Sequence, residues 1–202
     1  MPFLLTARNR AVLARIPGLA LGLVMFGAGI GFNIRANLGL SPWDAFHQGI
    51  ALRTPLSVGL VTIGVSMVVL LGWIPLRQRP GLGTLLNATL VGVMVDLTLF
   101  VVGETETLWL RVLYLVGGIG LLAIGSGLYI GSRLGPGPRD GIMTGLAARG
   151  MSIRSARTLI EGTVLIAGWL LGGAVGIGTV IYTVTIGPLL QITLRRADKG
   201  PL

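Results

Sequence analysis

Apolar residues gather in long blocks along the chain, and charged or proline-containing segments separate most of them. Six of these blocks are long enough to cross about 30 Å of hydrocarbon as helices. They cover approximately residues 16–34, 56–76, 81–102, 108–132, 156–173 and 178–194. The pattern predicts an all-α, polytopic membrane helix bundle with six transmembrane helices, in which residues 1–202 form a single membrane domain.

The composition favours a lipid environment and narrows the classes of function. Hydrophobic residues make up 52% of the chain and charged residues only 11%, whereas soluble domains are about 25% charged. The basic residues are scattered between apolar blocks, so the net charge of +9 does not indicate binding to nucleic acid. The chain has no Cys and one His, His47, which argues against metal sites and Ser–His catalysis. We therefore expect no enzyme, no catalytic residue, no metal and no cofactor.

The positions of Lys and Arg predict how the chain crosses the membrane. If the N-terminus is cytoplasmic, all basic residues except Arg35, Arg53 and Arg111 fall on the cytoplasmic side, where membrane proteins retain positive charge in their loops. Arg8 and Lys199, near the two chain ends, are among the residues that this orientation places inside. The first apolar block is interpreted as a retained span, because no cleavage site follows it. An even number of spans then leaves both termini cytoplasmic.

The sequence contains an internal repeat at an offset of about 96 residues. The segment LGLSPWD at 38–44 aligns with LGPGPRD at 134–140. The same register aligns Trp73 with Trp169, and we expect both to anchor their helices at the membrane surface. After a slip of one residue, Gly81, Gly83, Thr84 and Gly92 align with Gly176, Gly178, Thr179 and Gly187, at an offset of 95. So many Gly, Pro, Asp and Trp identities indicate a duplicated unit.

The repeats, approximately 16–102 and 108–195, each contain three predicted spans. Because three is odd, the second repeat would be inverted relative to the first if the short segments after the motifs do not cross the membrane. Inverted repeats are common in secondary transporters, which bind their substrates at the repeat interface. The repeat therefore favours a transporter with a shared central site.

A short helix is predicted at each copy of the motif. Ser41 and Gly137 fit the N-cap, Pro42 and Pro138 the first helical position, and Asp44 and Asp140 the third. About 11 residues give a helix of about 17 Å, which is too short to span. It lies either at the interface, with Trp43 in lipid and the Asp residues as caps, or it is re-entrant. In the second case the two N-termini would meet near mid-membrane and form a polar site.

Further polar residues extend the candidate site. Asp96 in the third span has Gln191 at the matching place of the second repeat. The two either share an interior environment, or Asp96 pairs with Arg111 near the surface. His47 is either structural or a proton carrier, since its side chain titrates near neutral pH. The candidate substrate-binding residues are Asp44, Asp140, Arg139, Trp43, His47, Asp96 and Gln191, and the residues expected to shape the motif are Gly39, Pro42, Gly135, Pro138 and Gly141.

The twin motifs, and the Gly-bearing helix that follows each, resemble the YczE branch of the YczE/YyaS/YitT group of bacterial membrane proteins. The resemblance covers nearly the whole chain, from about Gly22 to about Leu194. It implies a bacterial plasma (inner) membrane protein and carries over no catalytic residue. The positions that match the family's motif are Gly39, Pro42, Asp44, Gly135, Pro138, Asp140 and Gly141. Trp43 stands where the second copy has Arg139, so the two motifs are not chemically equivalent.

Two classes of function fit these observations. The repeats, the paired Pro-Asp motifs and the polar residues inside spans favour a small transporter or permease. Arg139 would suit an anionic substrate and Asp44 a cation or proton, so the identity and sign of a small-molecule or ion substrate stay open, as does any coupling ion. The alternative is a non-transporting membrane partner or assembly factor. The lipid bilayer is the expected partner, and a homodimer is compatible with the bundle but not required by it.

Overall fold

The computed structural model describes residues 7–198 and 200, and every regular element within this part of the chain is an α-helix. The helices are α1 (Ala7–Ala36), α2 (Pro42–Ala51), α3 (Val58–Leu71), α4 (Trp73–Leu76), α5 (Leu82–Val101), α6 (Leu108–Gly131), α7 (Pro138–Ala147), α8 (Ile153–Leu170) and α9 (Ile177–Ala197). The predicted all-helical class is thus confirmed. The side chain of Arg8, residue Lys199 and both chain ends, which the predicted orientation uses, lie outside the described residues.

Five helical segments are long and apolar enough to cross a membrane. They are α1, α3 continued by α4, α5, α6 and α9. Helix α8 does not belong to this set, although residues 156–173 are predicted to span. Its 18 residues include Arg154, Arg157 and Glu161, and charged side chains oppose insertion into hydrocarbon. The prediction of six spans is therefore confirmed for five of them.

Helices α1 and α6 pack closely against each other through glycines. Gly22 faces the main chain of Gly125, and Gly29 faces that of Gly118, so closely that a Cβ at any of the four would lie within 3.0 Å of a facing atom. Small residues allow membrane helices to approach in this way. Because the contact order is reversed along α6, the two helices run antiparallel. Helix α5 packs on α1, and α9 packs on α6.

Two neighbouring glycines of α6 provide a test of this close approach. A Cβ at Gly118 would collide with the side chain of Asn33 and the carbonyl of Gly29, whereas Gly117 has no heavy atom within 4 Å. We expect Gly118→Ala to lower the free energy of unfolding by roughly 1–3 kcal/mol through overpacking. Gly117→Ala should be neutral or up to about 1 kcal/mol stabilising. Thermal unfolding of both variants in detergent distinguishes them, and equal losses would contradict the packing described.

Two arginines 96 residues apart close the ends of α1 and α6 in the same manner. The Nε of Arg111 donates to the carbonyl of Ala36 at 2.8 Å. The Nη1 of Arg15 donates to the carbonyl of Ser132 at 3.3 Å. Since 36 and 132 are also 96 apart, each arginine caps the C-terminal end of the corresponding helix in the other half of the chain. Basic side chains commonly satisfy such free carbonyl groups.

Each short Pro-led helix packs against the other half of the chain. Helix α2 packs on α8, and α7 packs on α3 and α4. At the end of α2, the Nε of Arg53 donates to the carbonyl of Leu171 at 3.0 Å. After α7, Arg149 donates to the carbonyl of Pro75. The two halves are therefore joined by an exchange of short helices.

The Leu-Gly pairs that precede the short helices are also exchanged. The amide of Gly178 donates to the carbonyl of Leu38 at 2.7 Å, and the amide of Gly83 donates to that of Leu134 at 2.9 Å. The glycines that follow these leucines have φ angles of 115° and 134°, which side chains rarely adopt. These are Gly39 and Gly135. Their predicted role in shaping the motif thus has a backbone reason.

The contacts place the repeat in a different register at α3 and α8 from the one predicted. Ser57 and Ser152 are the N-caps of these helices and are 95 residues apart, so Trp73 corresponds to Gly168 and not to Trp169. Trp73 is only 2% exposed and donates its indole N–H to the main chain of α7. Its predicted role as a membrane-surface anchor is wrong. Trp169 is 64% exposed.

Candidate functional site

Both Pro-led helices begin at one partly open cavity of about 140 Å³ between the helices. The motif residues that line it are Ser41, Pro42, Trp43, Gly137, Pro138, Arg139 and Asp140. An apolar cavity of about 150 Å³ is large enough to bind benzene. The cavity is therefore suited to a ligand of about that size.

The walls of the cavity come from corresponding positions of the two halves. Four pairs of lining residues are each 95 residues apart: Thr62 with Arg157, Ser66 with Glu161, Asn87 with Tyr182, and Val91 with Ile186. Helices α3 and α8 contribute the first two pairs, and α5 and α9 the other two. The cavity therefore lies where the two halves meet.

Asp44 lies in the first turn of α2, behind this cavity. It is 2% exposed, and its Oδ2 accepts a hydrogen bond of 2.6 Å from the hydroxyl of Ser41. The Ser41 hydroxyl also accepts the amide N–H of Asp44, as predicted for the N-cap. Burial raises the pKa of the Asp44 carboxyl, while the positive charge of Arg139 and the bond from Ser41 oppose the rise.

Arg139 joins the first turns of the two short helices. Its Nη2 lies 3.7 Å from the Oδ1 of Asp44, and its guanidinium lies 5.0 Å from the centre of the Trp43 ring. Such a cation–π contact suits Arg over an indole face. The structure thus brings together Asp44, Arg139 and Trp43. The side chain of Arg139 remains 23% exposed.

Asp140 is half buried and lies between two cavities. Its Oδ2 accepts a hydrogen bond of 3.0 Å from the hydroxyl of Tyr129. It lines both the central cavity and an adjoining pocket of about 360 Å³ that includes Arg133, with Ile130 also common to both. Asp140 is therefore more accessible than Asp44, its counterpart in the first motif.

Arg157 and Glu161 form an ion pair along α8. The Nε of Arg157 donates to the Oε1 of Glu161 at 2.9 Å, as their spacing of four residues allows. Both residues also line the cavity. Charges of both signs therefore face the same space as Arg139 and Asp140.

Asp96 does not line the cavity and instead accepts hydrogen bonds from the first residues of α3 and its N-cap. Its Oδ1 accepts the amide N–H of Gly59 at 2.8 Å, and its Oδ2 accepts the Ser57 hydroxyl at 2.5 Å. The predicted pair with Arg111 is wrong, because that arginine caps α1. Gln191 is exposed on α9 and does not line the cavity, so the two residues do not share an interior environment.

His47 is buried behind the cavity wall. Its Nδ1 lies 3.1 Å from the hydroxyl of Thr62, which lines the cavity. Burial lowers the pKa of His47 well below its usual value, and the charge of Arg139 acts in the same direction. Among residues 7–198 and 200, no group of three His, Asp or Glu side chains is placed to hold a metal ion.

Several lining residues were not predicted as part of the site. Thr62, Ser66, Ser126 and Tyr129 are common residue types in packed membrane helices, and nothing in their local sequence sets them apart. The repeat offset, applied to polar residues within the spans, would have selected Asn87 with Tyr182 and Arg157 with Thr62. Asn87 and Tyr182 already align at the offset of 95 residues predicted from Gly81 onward, whereas Thr62 and Arg157 align only when that offset also applies to α3 and α8.

Comparison with known proteins adds a family and several relatives. The sequence model of a family of unknown function, DUF6198, matches residues 13–195. A Haemophilus influenzae protein described as uncharacterised is 38% identical over 91% of this chain and 84% of its own length. The uncharacterised membrane protein YczE of Bacillus subtilis is 33% identical over 86% and 82%, and YyaS of the same species is 30% identical over 89% and 92%. No solved structure matches the chain. The resemblance to the YczE and YyaS proteins is confirmed.

Proposed function

The chain belongs to the family of unknown function DUF6198, and we propose that it is a small transporter or permease whose substrate site is the central cavity. The observation that carries the proposal is the lining of this cavity by both Pro-led helix N-termini and by paired positions of the two halves. Secondary transporters with internal repeats bind their substrates at such a junction.

In this proposal the two halves are inverted repeats. Helices α1 and α6 are counterparts, and their glycine contacts run in opposite order. The paired capping arginines and the exchanged short helices support the same relation. The protein then crosses the bacterial inner membrane six times, and both termini are cytoplasmic, because the segments rich in Lys and Arg stay on the cytoplasmic side.

Helix α8 is the sixth span of this arrangement. Its counterpart, α3 with α4, is long and apolar enough to cross. Arg157, whose side chain is 54% exposed, and Glu161 pair with each other and line the cavity, and this pairing lowers the cost of placing their charges in the membrane. Arg154 lies in the first turn of the helix, from which a long side chain reaches the membrane surface.

Helices α2 and α7 are the re-entrant elements of the site. Six of the ten residues of α2 are buried, Trp43 among them, so this side chain contacts protein where an interfacial helix would turn it toward lipid. Irregular backbone at membrane depth is tolerated where it faces protein or a water-filled cavity. The main-chain breaks before Pro42 and Pro138 meet this condition, because both prolines line the cavity.

The cavity suits a small polar solute or ion. Its volume of about 140 Å³ limits the ligand to roughly the size of benzene. Arg139 and Arg157 face it together with Asp140 and Glu161, so a solute that carries both charges, or a single charge of either sign, finds a complementary group. The positive ends of two helix dipoles also point at this space.

Single-cysteine labelling tests the proposal, because the natural chain has no Cys. We expect Asn87→Cys or Tyr182→Cys to react with a membrane-impermeant thiol reagent applied to one face of sealed vesicles. Thr107→Cys and Pro80→Cys, in exposed loops at opposite ends of the bundle, calibrate the two faces. Solutes that bind should slow the reaction of the cavity cysteines and leave the loop cysteines unaffected.

The non-transporting alternative predicts a different result. A membrane partner or assembly factor needs no path for water, so both cavity cysteines would stay unreactive from either face while the loop cysteines react. That outcome would remove the transporter proposal. Protection by a panel of small amino acids, amines and carboxylates would instead identify the substrate class for uptake assays in proteoliposomes.

A further inference from the structure

The two halves differ in how their outer helices close over the cavity. Helix α3 packs against α5, and a Cβ at Gly92 would lie within 3.0 Å of the carbonyl of Gly59 and the side chain of Ile63. Among the described residues, α8 and α9 make no comparable contact. Gly187, the counterpart of Gly92, has no heavy atom within 4 Å of an added Cβ. One half is thus closed where the other is open.

Hydrogen bonds fasten the closed half at one end. Asp96 of α5 accepts both the amide of Gly59 and the hydroxyl of Ser57 at the start of α3. Its counterpart on α9, Gln191, is exposed. Because α3 and α5 are connected by the chain at their other end, the Asp96 bonds hold together the end that would otherwise separate.

The acidic residues of the two motifs show the same asymmetry. Asp44, on the helix that precedes α3 in the chain, is 2% exposed. Asp140 is half buried and borders a pocket that reaches Arg133 at the opposite end of the bundle. The cavity is therefore more accessible from the end that carries Arg133 than from the end that carries Asp96.

We infer that the structure is one of two gated conformations, in which Asp96 latches a closed gate between α3 and α5 while the gate between α8 and α9 is open. Because the halves are built alike, the second conformation has α8 packed on α9 and α3 separated from α5. The cavity is then reached from the Asp96 end. This inference rests on the proposed function, since it takes the cavity to be the site that both halves share.

The role of the Asp96 hydrogen bonds is tested by replacing Ser66, which lines the cavity, with Cys and labelling this cysteine from each face of the membrane. In the Ser66→Cys chain, we expect reaction mainly from the face of Pro80 and Arg133. Asp96→Ala removes both bonds and should raise the rate of labelling from the Asp96 face at least about tenfold, since the equilibrium effect of one charge-assisted hydrogen bond alone is of that order. Asp96→Asn is the matched control, because an amide can still accept from Gly59 and donate to Ser57, and it should change the rate little.

A second pair of variants keeps the test independent of Asp96. Gly92→Ala inserts a methyl group between α3 and α5 and should also raise labelling from the Asp96 face, whereas Gly187→Ala, at the open counterpart, should not. Suppose that Ser66→Cys reacts from the Arg133 face, but neither Asp96→Ala nor Gly92→Ala changes the ratio of labelling rates from the two faces. The inferred gate between α3 and α5 is then contradicted, whereas the accessible cavity is supported. If Ser66→Cys reacts from neither face, the proposed function itself fails.

Discussion

Arg139→Gln is expected to lower the free energy of unfolding by about 3 kcal/mol, because it leaves the carboxylate of Asp44 buried without its cationic partner. Asp44 is 2% exposed and keeps only the hydrogen bond from Ser41. The reverse variant, Asp44→Asn, should cost only about 1 kcal/mol, the usual contribution of one hydrogen bond, since Arg139 retains access to the cavity. Chemical unfolding in mild detergent measures both losses.

The double variant Asp44→Asn with Arg139→Gln completes the cycle and should be more stable than Arg139→Gln alone. The pH dependence of the stability of Arg139→Gln provides an independent test of the pair. Burial holds the pKa of Asp44 above its unfolded value, so the penalty of an unpaired carboxylate is present at neutral pH and diminishes as the pH falls through that pKa. The pair between Asp44 and Arg139 would not contribute to stability if the loss in Arg139→Gln did not shrink in acid. An equal loss in the two single variants would lead to the same conclusion.

Gly141→Ala is expected to lower the free energy of unfolding by roughly 1–3 kcal/mol. An added Cβ would coincide with the indole ring of Trp73, and that ring is fixed by its hydrogen bond to the carbonyl of Pro138. The ring cannot move away without breaking the bond. Thermal unfolding in detergent measures the effect.

Trp73→Phe in the Gly141→Ala background is the matched control. The smaller ring makes room for the methyl group, so the double variant should lose less stability than the two single changes added together. Strict additivity would mean that the two residues do not compete for the same space. Gly120→Ala provides a reference, since this glycine has no heavy atom within 4 Å and its replacement should be neutral or slightly stabilising.

Apolar length and N-cap chemistry predicted most of the elements, because both are local properties of the chain. The N-cap role of Ser41 and the start of α2 at Pro42 are confirmed, and so are the Pro-led helix at Pro138 and five of the six spans. The sixth, α8, is less apolar than the other five because it carries Arg154, Arg157 and Glu161. The ion pair between Arg157 and Glu161 was predictable from their spacing of four residues and is confirmed.

The register that the sequence predicts for α3 and α8 is wrong for an identifiable reason. The segment that connects α7 to α8 is one residue shorter than the segment that connects α2 to α3. The Gly-Trp pair that ends at Trp73 recurs at Trp169 with an offset of 96 residues, and this coincidence favours the wrong register for α3 and α8. The contacts reveal it, since Trp73 packs on Gly141 of α7 whereas Gly168 packs on the main chain of α2.

The partners of Asp96 could not be predicted from the sequence. They lie 37 and 39 residues away at the start of another helix. Whether Asp96 binds them or Arg111 depends on how α3 packs against α5. The difference between Asp44 and Asp140 was equally hidden. Both occupy the third position of a Pro-led helix, and only the packing of the surrounding helices buries one more than the other.

The exchange of short helices between the halves has a consequence for biosynthesis. Helix α2 ends at Ala51, yet its packing partner α8 begins only at Ile153. At about 5–20 residues per second, the ribosome needs several seconds to synthesise the intervening chain. During that time Asp44 and the breaks around Pro42 have no partner from the second half, so the first half cannot complete its packing until α8 has been synthesised.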